Sequence, residues 1–280
     1  MPTSKDGSRK VQEAAPLPEA LRVGVADSHT HLDMQEASVQ EALSAAASVG
    51  VSTLVQVGCD LERSRWAAET AAAHSAVHAT VALHPNEAPR ADARGELDSS
   101  LAEIEKLAAL PQVLGVGETG LDYFRTGEDG ISAQQYSFRA HIAIAKRQQR
   151  ALVIHDRDAH ADVLRILDEE GAPERTVFHC FSGDAEMARH CASRGWFMSF
   201  AGNVTFKNAQ PLRDALAVVP PELVLVETDA PFLTPAPYRG RPNAPYLVPV
   251  TLRAMAETKG MSEDSLAGHV AANTARAFGY

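Results

Sequence analysis

The stretch "VADSHTHLDM", Val25 to Met34, closes an apolar run with two histidines one residue apart. Alternate side chains of a strand share a face, so His29 and His31 project the same way if the run is extended. Two imidazoles converging on one point form either the corner of a metal site or a purely structural pair. What decides between them is which residues stand at the ends of the other apolar runs.

Eight runs of strand length are legible. They are "LRVGVAD" (21–27), "VSTLVQVG" (51–58), "VHATVAL" (77–83), "VLGVG" (113–117), "ALVIH" (151–155), "TVFHC" (176–180), "WFMSF" (196–200) and "LVLVET" (223–228). Most are nearly continuous in Val, Leu, Ile or Ala, the pattern of parallel strands buried on both faces. Amphipathic segments fill the gaps. "EASVQEALSAAASVG" puts Val39, Leu43, Ala46 and Ala47 on one helical face, with Gly50 as a stop. "DAHADVLRILDEEG" and "DAEMARHCASRG" repeat the device, ending at Gly171 and Gly195 just before a strand. Eight strands alternating with helices predict an α/β fold, a single-domain (β/α)8 TIM-type barrel over residues 21–280. A doubly wound open sheet is the alternative.

The reactive residues separate the two. His29 and His31 follow the first run, His84 the third and Glu118 the fourth; His155 ends the fifth, His179 lies near the end of the sixth, and Glu227 and Asp229 end the eighth. A barrel brings the carboxyl ends of all its strands to one mouth, whereas an open sheet spreads them along a line. Four imidazoles (His29, His31, His155, His179) with two carboxylates, Glu118 and Asp229, or three if Glu227 is included, make a mixed nitrogen and oxygen ligand set. Six ligands exceed what one open catalytic zinc takes, so two divalent ions sharing a carboxylate are the economical reading. Any one strand-end histidine could be a hydrogen-bonded core residue, and Asp229 could cap a turn. The repetition at five strand ends favours the metal site. His74, His78, His141, His160, His190 and His269 fall on helical segments or at a strand start, and are expected to be structural.

Bulk properties bound the function. A chain of 280 residues with 45% hydrophobic residues is globular. No apolar run approaches the roughly 20 residues needed to span a bilayer. Residues 1–20 lack the apolar region of a secretory signal and read as a flexible extension. Three widely spaced cysteines, Cys59, Cys180 and Cys191, fit reduced thiols in the cytoplasm better than a disulfide framework. The formal net charge of −10 disfavours broad capture of duplex nucleic acid. It does not exclude an enzyme whose cations are bound metals. No membrane and no obligate protein partner are evident.

"DSHTHLD", "GETGLDY", "VIHDRDA", "HCFSGD" and "ETDAPFLTP", in this order, resemble the TatD family of metal-dependent hydrolases within the amidohydrolase superfamily. The resemblance runs from about residue 23 to the C-terminus and includes "PYRGRPNAPYLVP" and "ANTARAFG". It implies a TIM-type barrel, a divalent metal site and nuclease activity, as a magnesium-requiring DNase or 3′-to-5′ exonuclease. It also implies His29, His31 and Asp229 at a first metal, His155 and His179 at a second, and Glu118 as the bridge. Many amidohydrolases place a carbamylated lysine where this chain has Glu118. "ALHPNEA" departs from the commoner family form, in which a glycine precedes His-Pro.

The mechanism so implied is metal-assisted hydrolysis of a phosphodiester, with Mg2+ or Mn2+ for activity and Zn2+ also compatible with the ligands. Asp229 and Glu118 are the catalytic carboxylates, and Glu227, on the same strand as Asp229, supports them. His84 and Arg157 are candidates for holding phosphate, and Lys207, Arg239 and Arg241 add positive charge nearby. The expected substrate is nucleic acid, chiefly single-stranded DNA ends. One alternative is an amide, lactone or ester hydrolase on the same site, aminoacyl-tRNA esters included. The other is a binding protein that has kept the barrel.

Overall fold

Each of the eight apolar runs forms a strand in the computed structural model, which describes residues 13–280. The first half of the chain runs β1 (Val25–Thr30), α1 (Val39–Ser48), β2 (Val51–Val57), α2 (Leu61–Ala73), β3 (Val77–Val81), α3 (Ala88–Ala93), α4 (Leu97–Ala108), β4 (Val113–Asp122). The second half runs α5 (Glu128–Gln148), β5 (Ala151–Arg157), α6 (His160–Glu170), β6 (Thr176–Phe178), α7 (Ala185–Ser193), β7 (Phe197–Phe200), α8 (Gln210–Val218), β8 (Val224–Val226), α9 (Val248–Lys259), α10 (Glu263–Phe278).

All seven ladders are parallel and join neighbours in sequence order, from β1 to β8. A parallel bridge between Thr30 and Ala230 brings the last strand round to the first. The fold is therefore the (β/α)8 TIM-type barrel and not the open sheet. Among the described residues, no helix is long and apolar enough to cross a membrane.

The strand boundaries differ from the sequence reading by a few residues throughout, and two strands run furthest past their expected ends at the mouth. The first strand starts at Val25 and continues to Thr30, because the seam with residue 230 extends the ladder through His29. The fourth continues past Gly117 to Asp122 and so carries Glu118 within it. Gly120 permits this: at φ +131°, a Cβ there would lie 2.1 Å from the His155 carbonyl oxygen. The ladders shift register between Asp27 and Thr30 and between Val116 and Thr119. His29 and Glu118 thus sit in breaks of the pairing, where bulged strands re-aim side chains.

The interior is layered by the two-residue period of the strands. Val153, Val177 and Leu225 belong to a buried apolar cluster, joined by Ala277 and Phe278 at the end of α10. Two residues on, towards the mouth, the same faces carry His155, His179 and Glu227. A larger cluster, including Leu54, Ile104, Phe138, Ile142 and Leu252, packs the helices against the outside of the sheet.

Of the stretch 1–20 expected to be a flexible extension, residues 1–12 lie outside the described residues. Residues 13–20 form no helix or strand but are fastened to the body. Arg241 Nη1 donates to Ala14 O (3.0 Å), Tyr246 Oη to Ala15 O (2.8 Å) and Arg253 Nη2 to Glu19 O (2.9 Å).

Candidate metal centre

The seam that closes the barrel also places the first group of functional side chains. Asp229 N–H donates to His29 O (2.9 Å) and His31 N–H to Ala230 O (2.9 Å), locking the end of β1 to the residues after β8. Asp27, fully buried, accepts from Thr228 N (2.9 Å) and Thr228 Oγ1 (2.5 Å) across the same seam. Gln56 fixes the turn after His31, accepting from Leu32 N at 2.6 Å and donating to Asp33 Oδ1 at 2.8 Å. Asp229 has φ +51°, a left-handed conformation that Asp tolerates better than most residues. That twist ends the strand alternation and turns the Asp229 carboxylate towards both histidines, with Oδ1 3.5 Å from His31 Nε2 and 3.9 Å from His29 Nε2.

Glu118 is the centre of the arrangement. Its Oε2 lies 3.1 Å from His29 Nε2 and 3.8 Å from His31 Nε2. Its Oε1 faces the other way, 2.9 Å from His155 Nδ1, 3.1 Å from His84 Nε2 and 3.4 Å from His179 Nε2. One buried carboxylate is therefore shared between two sets of imidazoles. His29–His31–Asp229, His29–Glu118–His179 and His84–Glu118–His155 each bring three ligand atoms close enough to hold one ion.

Two outward ring nitrogens are hydrogen-bonded, those of His31 and His179, whereas His155 Nε2 has a carboxylate close by without a hydrogen bond and His29 Nδ1 has no partner among the described residues. His31 Nδ1 meets Val57 O at 3.2 Å, His179 Nδ1 meets Glu227 Oε1 at 3.2 Å, and His155 Nε2 lies 3.3 Å from Asp122 Oδ2. An imidazole whose outer nitrogen donates to a carboxylate or carbonyl presents a lone pair on its inner nitrogen, the form a metal takes. His84 differs: its Nδ1 accepts from Asn86 N–H (3.0 Å), so in the neutral ring Nε2 carries the hydrogen and donates towards Glu118.

Charge and crowding agree with a cation at this place. Burial opposes an anion at Glu118, yet His179 and His84 beside it hold its carboxyl well below the usual carboxylate range. Burial also opposes a charge on His179, but Glu118 and Glu227 outweigh it and lift the imidazole well above its ordinary value. Burial, with His179 stacked over it at 3.8 Å, pushes His29 down. His29 and His31 point Nε2 atoms at one another across 3.3 Å. That contact is a hydrogen bond when one of the two nitrogens carries a proton; with both deprotonated, the two lone pairs and the Glu118 and Asp229 oxygens would suit a divalent ion. The donor set suits zinc and other borderline divalent ions through its imidazoles and magnesium, calcium or manganese through its carboxylates.

All six sequence-predicted ligands, His29, His31, Glu118, His155, His179 and Asp229, converge here. His84 joins them more closely than a loop histidine would. Glu227 is fully buried behind His179, where Oε1 also accepts from Cys180 N at 2.8 Å, so it positions a ring and does not face the open mouth. Arg157 stands at the rim, its guanidinium 3.9 Å above the Phe124 ring, with no ion pair among the described residues. Two neighbours escaped the sequence reading. Asp122 lies four residues after Glu118 on β4, hence on the same strand face, a placement that depends on the strand continuing past Gly117. Cys59, with its Sγ 3.8 Å from His31 Nδ1, forms a further possible ligand group with His31 and Glu118; an isolated cysteine carried no such signal. His141 is structural as expected, its Nε2 accepting from Leu83 N at 3.2 Å and its Nδ1 meeting Thr119 Oγ1 at 2.9 Å.

Comparison with known proteins agrees with this geometry. The metal-dependent hydrolase TatD of Mycobacterium tuberculosis, described as uncharacterized, is 45% identical over 261 residues, covering 90% of this chain and 97% of that protein. The corresponding protein YabD of Bacillus subtilis is 36% identical over 90% of this chain and 98% of its own length. Among solved structures, the TatD homologue YjjV of Escherichia coli superposes with a TM-score of 0.83 at 27% identity, covering 91% of this chain and 98% of that one. The family model described as TatD related DNase matches residues 26–279. The chain therefore belongs to the TatD family of metal-dependent hydrolases.

Proposed function

We propose that the protein is a divalent-metal-dependent phosphodiesterase that shortens single-stranded DNA from its 3′ end. The observation that carries this reading is Glu118 with one oxygen towards each of two imidazole sets, a cradle for two ions side by side. Divalent ions held there would lower the pKa of a bound water and offset charge on the phosphoryl and leaving oxygens.

The chain's own groups do the rest. His29, His31 and Asp229 would hold one ion and His155 and His179 another, with Glu118 placed to serve both. The Asp229 carboxylate is 14% exposed at the mouth and kept ionised against its burial by His31 and His179, so it is placed to orient water and accept a proton. His84, fixed as an Nε2–H donor by Asn86, supports a phosphate oxygen. Arg157 offers its guanidinium to the phosphate of the strand. Glu227 keeps His179 in the ligand tautomer, and the Asp122 carboxylate 3.3 Å from His155 Nε2 favours a proton on that outer nitrogen. Single-stranded ends are favoured because a chain with net charge −10 has little with which to grip a duplex backbone.

The test is metal-stripped protein with 5′-labelled single-stranded DNA and added Mg2+ or Mn2+, using Asp229→Asn as control. A metal-dependent ladder retreating from the 3′ end and absent in the variant is expected. No cleavage, with metal binding confirmed by calorimetry, would overturn the nuclease reading and move the activity to esters or amides on the same centre.

A further inference from the structure

Six large apolar residues are exposed among those described, and two stand at the mouth: Phe124 at 62% and Phe232 at 50%. Phe124 follows β4 and Phe232 follows β8. These strands are four apart in a closed order of eight, so the two rings rise from opposite edges of the mouth with Glu118 and its histidines between them.

Both rings are held. Phe232 N–H donates to Asp229 O at 2.8 Å, and Asn243 Nδ2 donates both to Phe232 O and, at 2.8 Å, to Thr228 O. The turn is thus tied to the strand end that supplies Asp229, and the Phe232 ring meets His31 edge-on at 6.2 Å. Phe124 has the Arg157 guanidinium over one face. A second such pair, Arg239 over Phe206 at 4.0 Å, lies on the loops after β7 and β8. Two exposed phenyl rings on opposite sides of the cluster, one with a guanidinium over a face and the other without, match what an unpaired nucleic-acid strand requires: π-faces for bases, with cationic groups near the backbone.

We propose that Phe124 and Phe232 are stacking platforms for unpaired nucleobases on the two sides of the phosphodiester presented to the metal centre, an assignment that rests on the phosphodiesterase reading above. Stacking tolerates any base, because every base has a π-face. It supplies affinity that does not depend on net positive charge, and this chain carries a net charge of −10. It also selects single strands, since a base paired within a duplex cannot lie flat on a protein ring.

The experiment compares two fluorescent single-stranded oligonucleotides, one with all its bases and one with abasic sugars at the three positions nearest the 3′ end. Binding is read by anisotropy on chelator-treated protein, so that the strand is not cut, and cleavage is read separately with Mn2+. The wild type is expected to bind the base-bearing strand about 5- to 150-fold more tightly than the abasic one. In the Phe124→Ala/Phe232→Ala double variant that ratio falls to within about 2-fold of one, and in Phe124→Trp/Phe232→Trp it is retained. An unchanged ratio in the alanine variant, or no preference in the wild type, overturns the stacking assignment. Cleavage by the wild type together with an unchanged ratio leaves the nuclease standing and removes the platforms. A lost ratio with no cleavage by the wild type keeps the platforms and removes the nuclease.

Discussion

Asp229 and His29 are joined twice: the Asp229 backbone N–H donates to the His29 carbonyl at 2.9 Å, and the Asp229 carboxylate comes within 3.9 Å of the His29 ring. The first contact closes the barrel and the second builds the metal centre. Fold closure and ligand placement therefore share the same two residues, and a substitution there has to be chosen to disturb only one. Asp229→Asn is that choice, because Asn also tolerates the left-handed φ of +51° and leaves the backbone bond intact. Turnover of single-stranded DNA is expected to fall by about 100-fold or more while the melting temperature of the metal-free protein stays within a few degrees. Near wild-type turnover would remove Asp229 from the mechanism.

Glu227→Gln and Asp122→Asn test the carboxylates behind His179 and His155. Each keeps its volume but loses the charge that fixes the neighbouring ring. Outer partners of metal-bound histidines are typically worth about 10- to 100-fold in metal affinity or activity. The expected signature is a weaker Mn2+ isotherm, with activity partly restored as Mn2+ is raised. A kcat loss that excess metal leaves untouched would instead mean that these groups meet the substrate.

The barrel and most of this centre were legible in the sequence, for a physical reason. Parallel strands buried on both faces must be nearly all apolar, so a His, Glu or Asp at the end of such a run stands out. The detail that stayed hidden depends on backbone irregularity. Nothing in "GETGLD" announces that β4 continues past Gly117, since two glycines argue against a strand until Gly120 is seen to allow the close approach to His155. Glu227 and Asp229 look equivalent on a regular strand. The left-handed turn at Asp229 breaks that equivalence and leaves Glu227 behind His179. Cys59 reaches His31 only because neighbouring strands of a barrel converge, and spacing within one segment cannot show that.

Metal removal should be visible in stability. Five imidazoles lie around one buried carboxylate, so Mn2+ is expected to bind the folded state in preference to the unfolded chain. At a free concentration about 100 times its dissociation constant, such a ligand adds about 2.7 kcal/mol. For a domain of this size that corresponds to a rise of roughly 5 °C in melting temperature. Differential scanning calorimetry with chelator and then with Mn2+ measures it. Glu118→Gln, which removes the shared anion, is expected to abolish most of the shift. An undiminished shift in that variant would mean the ion binds elsewhere.

The last prediction concerns His141, on α5 behind the mouth, whose pKa burial pushes down to about 4. Its Nε2 accepts the Leu83 N–H and its Nδ1 meets Thr119 Oγ1, so it ties the residue before His84 to the residue after Glu118. Protonating Nε2 would set two hydrogens against each other at 3.2 Å, which explains why the folded protein keeps this ring neutral. An unfolded histidine titrates near 6.5, so between pH 6.5 and 4 the unfolded chain binds a proton that the folded one refuses. The stabilisation is therefore complete above pH 6.5 and is lost progressively as the pH falls towards 4, by about 3 kcal/mol at most. His141→Gln retains an acceptor for Leu83 but cannot titrate. In urea denaturation at a series of pH values, the wild type is expected to lose stability more steeply over this window than the variant, which removes the contribution of the other titrating groups from the comparison. Parallel curves would show that His141 carries no pH-dependent load.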